Sequence, residues 1–117
     1  MLLAWLSPQL EDCCVSGVRL RQATGTQIEA AEDLLHVITK SPRLESVGNF
    51  QSVLIGVESG NLTLSIDEVA VHAQPLTPEG RPRALVNRAS LPAHASAEAL
   101  LVQDIHVRGR SILRLVS

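Results

Sequence analysis

Between Val53 and Ile66 an apolar residue falls on every second position, broken once at Ser59-Gly60. Val53, Ile55 and Val57 take one face of a strand over 50–58, and Leu62, Leu64 and Ile66 alternate with Thr63 and Ser65 beyond the break. A side-chain period of two, interrupted by a pair of turn-forming residues, predicts a β-hairpin. Such a hairpin has one apolar face and must lay it against another layer, so it constrains the fold more than any other stretch. The phase then changes, since Val69, Val71 and Ala73 are odd where Leu62, Leu64 and Ile66 are even. A one-residue slip would expose a whole face, so a bulge or bend is predicted at Asp67-Glu68.

The layer against the hairpin is predicted from the segment before it. Thr26-x-x-Glu29 has the form of a capping box, and Ile28, Ala31, Leu34, Leu35 and Ile38 follow at helical spacing. This helix, over 26–40, is expected to stop at Ser41-Pro42. Upstream, Val18 and Leu20 alternate with Arg19 and Arg21, which predicts a first strand over 15–22. Residues 1–13 read as an apolar arm or short helix, with Ser7 as N-cap and Pro8 as the first helical residue.

Four of the six prolines lie in 74–92. Residues 74–82 are read as an exposed Pro-rich loop, 84–86 as a brief strand and 95–102 as one or two helical turns. At the end of the chain Ile105, Val107, Leu113 and Leu115 are odd, while Asp104, His106, Arg108, Arg110 and Arg114 are even. Either one strand runs through Gly109, or Arg108-Gly109 turns a hairpin. The expected class is α+β, a two-layer sandwich whose mainly antiparallel sheet carries one principal helix, with a ferredoxin-like order as first choice. A length of 117 residues fits a single domain over 1–117.

Trp5 and Phe50 are the only aromatic residues apart from the histidines, so the core is expected to consist of Leu, Val, Ile and Ala. Such a core buries less area per residue than one with rings, and self-association would compensate. Leu3, Trp5 and Leu6, in the apolar arm, are the expected contacts of a homodimer. The scarcity of aromatics and a net charge of −2 argue against nucleic acid as a partner. Charge is uneven, however: residues 1–74 hold nine acids against four bases, and residues 75–117 three against six. A membrane partner is not expected, because no run of eighteen apolar residues occurs and the apolar start has no base before Arg19. That start also lacks a basic n-region and stops at Ser7-Pro8, so a cytoplasmic location is expected.

Two sets of residues carry candidate chemistry. Arg108, Arg110 and Arg114, on one side of a strand, would present several donors to a small anionic ligand. His72, His106 and Asp104 would meet if their strands were neighbours, forming a weak catalytic candidate. No P-loop, H-E-x-x-H, G-x-S-x-G or dinucleotide glycine pattern occurs, so neither a cofactor nor a metal is expected. Cys13 and Cys14 are adjacent, which excludes a disulfide framework and the C-x-x-C spacing. The reading that follows is a noncatalytic homodimeric binding or assembly module. The alternative is a small-ligand (anion) binder or small enzyme using His72, His106 and Arg108.

Overall fold

The computed structural model describes residues 1–115. It is α+β, with five α-helices and a mixed six-stranded sheet. The strands are β1 (Leu2–Trp5), β2 (Leu54–Glu58), β3 (Asn61–Ile66), β4 (Val69–Pro75), β5 (Ala99–Val107) and β6 (Arg110–Ser111). The helices are α1 (Pro8–Val15), α2 (Gly17–Thr24), α3 (Ile28–Lys40), α4 (Leu44–Val47) and α5 (Ile112–Leu115). The sheet order is β1-β5-β4-β3-β2, with β6 also on β5; β1 runs parallel to β5 and the other pairs are antiparallel.

The hairpin predicted around Ser59-Gly60 is present, with Glu58 opposite Asn61 and positive φ at both turn residues. Positive φ at both central positions gives the turn the twist that matches its strands. The phase change at Asp67-Glu68 has a different origin from the one expected: the chain reverses there. Ile66 faces Val69 across a two-residue turn, so the even residues of β3 and the odd residues of β4 share one face. Leu62, Leu64, Val71, Ala73, Leu100, Val102 and Ile105 build the inner face, joined by Leu10, Leu20, Leu34 and Ile38 from the helices.

Three local expectations are corrected. Residues 17–24 form α2 instead of a strand, because Ser16 accepts from the Arg19 N–H as an N-cap and burial falls on Leu20, Ala23 and Thr24. Val18, expected beside Leu20, is 69% exposed. Residues 99–102 belong to β5, where Leu100 and Val102 are buried between β4 and β1; packing there overrides helix propensity. A 3₁₀ turn over Arg88–His94 precedes them. Finally, α3 forms without the capping box: Gly25–Gln27 make a 3₁₀ turn that enters the helix directly, and no side chain caps it.

These changes remove the βαβ units that a ferredoxin-like order requires, and that order is not confirmed. The N-terminal arm becomes β1, and Ser7 and Pro8 then start α1 as expected, with Ser7 Oγ accepting from the Leu10 N–H. In the 74–82 segment β4 extends to Pro75 and Leu76 bridges Pro82, while residues 78–84 are exposed. The brief strand at 84–86 is absent, and Leu85 instead inserts into the core.

The assignment of faces makes a quantitative demand. Leu64→Ala, in the fully buried centre of β3, is expected to cost about 2–5 kcal/mol. Leu54→Ala, ten residues earlier and exposed, is expected to cost about 0.5 kcal/mol or less. Urea denaturation of the two variants decides this, and equal losses would contradict the register.

Candidate functional site

The outer face of the sheet carries Thr63, Ser65, Ala70, His72, Gln74, Leu101, Gln103 and His106, all half-buried. One irregularity shapes it. His72 faces Asp104 and Ala73 faces Val102, so Gln103 is an extra residue in β5. Such a bulge re-aims side chains. Here Gln103 and Asp104 are both left half-buried where strict alternation would bury one of them, and the Gln103 amide donates to Gln74 Oε1 at 3.3 Å.

His106 faces Ala70, two positions from His72, and the imidazole centroids are 4.3 Å apart with the rings tilted by 44°. His106 Nε2 is 3.2 Å from Asp104 Oδ2. The other carboxylate oxygen accepts from the Ile105 N–H at 2.8 Å and from the Ser111 hydroxyl at 2.9 Å. Ser111 Oγ in turn accepts from the Leu113 N–H at the start of α5. Helix start, carboxylate and the His106 imidazole are thus one connected polar chain, with the His72 ring beside it. Burial pushes the His72 pKa down, as does the neighbouring His106; Glu58 and Asp104 oppose this.

The predicted trio of His72, His106 and Asp104 therefore converges on the outer face of the sheet. The Ser111 hydroxyl is spent on Asp104, and burial and Cys13 push the Cys14 thiol up to about 12, with Asp104 adding to the shift. Burial also raises Cys13. Neither cysteine is thus an activated nucleophile. Among the described residues, no three His, Cys, Asp or Glu side chains are placed to hold a metal ion.

The three arginines do not share one strand face. Arg108-Gly109 turns the β5–β6 hairpin, with positive φ at both residues. Arg108 donates through its backbone N–H to Glu68 O at 2.9 Å and through Nε to the Glu68 carboxylate. Arg110 faces Val107, and Arg114 lies on α5. Arg108 and Arg110 line a groove of about 670 Å³ with Gln22, Thr24, Gly25 and Thr26. Of the proposed contact residues, Leu3 and Trp5 are half-buried in β1 against the chain's own core, and Leu6 is 59% exposed.

Sequence reasoning missed Glu68 and Ser111 as partners. Ser111 immediately before Ile-Leu-Arg-Leu was a legible helix-start signal, whereas the Glu68 pairing needed the strand order. No helix of the described residues is long and apolar enough to cross a membrane. Comparison with protein-family models, with curated proteins and with solved structures finds no match to this chain.

The half-buried His72 makes a prediction about pH. Folding holds its pKa below the ordinary imidazole value, so the unfolded chain takes up the proton first on acidification. Its contribution to stability is complete above about pH 6.5 and is lost as pH falls through the depressed value. The melting temperature of the native chain is expected to fall over that interval, and that of His72→Gln to fall less. Identical acid slopes would show that another group is responsible.

Proposed function

We propose that this chain is a noncatalytic assembly module that forms a homodimer by pairing β2 with β2 of a second copy. The observation that carries the reading is the character of that edge. β2 ends the sheet, and its Leu54–Glu58 sequence contains no Lys, no Pro and no bulge, the usual devices that stop edge strands from pairing. Glu58 bonds across the turn to Asn61, and ladder bonds alternate along a strand, so the N–H and C=O groups of Ile55 and Val57 point outward.

An antiparallel pairing centred on Gly56 sets Ile55 opposite Val57 of the second copy, twice, which satisfies four pairs of donor and acceptor. It also sets Glu58 opposite Leu54 and not opposite another carboxylate. Both Ile55 and Val57 pack on the core side, so the inner layers of the two copies would become continuous. Exposed apolar side chains flank the edge: Phe50 just before β2, Leu54 at 72% exposure, and Val86 at 88%, beside Leu85, whose N–H bonds to Gly60 O. The reading as a small enzyme has less support, since the Arg108 Nε is taken up by Glu68.

Analytical ultracentrifugation at micromolar concentration tests the proposal. The native chain is expected to sediment as a dimer. Val57→Pro removes an outward N–H without touching the β3 ladder, and Leu54→Lys places a charge on an exposed site; both are expected to give folded monomers. A native chain that stays monomeric, or a dimer unaffected by both substitutions, would refute it.

A further inference from the structure

The groove between the α2–α3 junction and the β5–β6 hairpin is independent of the β2 edge and has a chemistry of its own. Its lining comprises Gln22, Ala23, Thr24, Gly25, Thr26, Val107, Arg108 and Arg110, which includes two guanidinium groups and no carboxylate. From these features we infer that the groove is a binding site for a small phosphate-bearing anion.

The two arginines are not equivalent. Arg108 is positioned: its Nε is held by the Glu68 carboxylate, which fixes the plane of the guanidinium and leaves the Nη donors as its remaining contacts. Glu68 also offsets much of its charge. Arg110 takes part in none of the described ion pairs, so it supplies the uncompensated positive charge. A planar fork of donors suits the oxygens of a phosphate better than a point charge does.

The opposite wall supplies one neutral hydroxyl donor, the Gly25 N–H being already bonded to Arg21 O. The Thr26 hydroxyl makes no capping bond, because the 3₁₀ turn has replaced the capping box that the sequence suggested, and Thr26 is exposed in the groove. Thr24 is unavailable, since its hydroxyl donates to Leu20 O at 2.7 Å. Gly25 has φ +56° and nothing within 4 Å of where a Cβ would stand, so a ligand can come close to the backbone there. Two arginines are too few to track a nucleic-acid backbone, and the lining has no aromatic ring to stack a base. A single phosphate group fits this donor set.

The test is a titration of the full chain with inorganic phosphate and with glycerol phosphate, followed by nitrogen–proton NMR. Saturable shifts are expected at the Gly25 and Thr26 amides and at Arg110 Nε, with none from chloride at equal ionic strength. A tighter fit for glycerol phosphate would mark a phosphorylated metabolite, and equal affinities the free ion. Arg110→Ala, at an exposed position, is expected to weaken binding about tenfold or more while the spectrum stays folded. Arg88→Ala removes the same charge from another site and is expected to change little. Shifts that are absent, that survive Arg110→Ala, or that Arg88→Ala weakens equally would overturn the inference.

Discussion

The structure depends on the way β2, β3 and β4 keep their apolar residues in phase. A strand alternates its side chains strictly, so each connection must reverse the chain without rotating the buried set outward. Two-residue turns do this at Ser59-Gly60 and Asp67-Glu68, pairing Glu58 with Asn61 and Ile66 with Val69. Ser59, Gly60 and Asp67 accept positive φ to make those reversals. With the three strands in phase, Val57, Leu62, Leu64 and Val71 present one surface, continued by Ile105 of β5, on which the helices can pack.

The sequence showed this central part because alternation is a local signal. Phe50 to Glu58 and Leu62 to Ile66 could be read as strands, and Ser59-Gly60 as their turn, from neighbouring residues alone, although the first strand begins only at Leu54. Val18 and Leu20 deceived for the same reason: two apolar residues two apart satisfy a strand pattern over four positions, while the Ser16 cap and the burial of Leu20, Ala23 and Thr24 favour a helix. Residues 95–102 erred in the other direction. Ala, Glu and Leu favour helix intrinsically, but Leu100 and Val102 gain more from burial between two strands.

The candidate sites were legible in composition more than in arrangement. His72, His106 and Asp104 could be named, and their meeting depended on β4 and β5 being neighbours, which no local pattern reveals. The even-numbered arginines appeared to share a face, yet the turn at Arg108-Gly109 ends the strand on which that face would lie. Arg108 then pairs with Glu68, forty residues away in sequence, joining the acidic first part of the chain to the basic second part. Exposed as it is, that pair contributes direction more than stability.

Gln103 is surplus to the alternation: without it Val102 and Asp104 would still face Ala73 and His72, and the buried set would stay buried. Its effect is on the free flank of β5. Up to Val102 that flank is occupied by β1 running in the same direction, with Leu6 N–H bonding to Val102 O as the last link. From His106 onward it is occupied by β6 running the opposite way. The added residue lies between those two stretches, and the one strand serves a neighbour of each polarity on the same side. The bulge thus marks the junction in a nine-residue strand that begins as part of a parallel pair and ends as half of a hairpin.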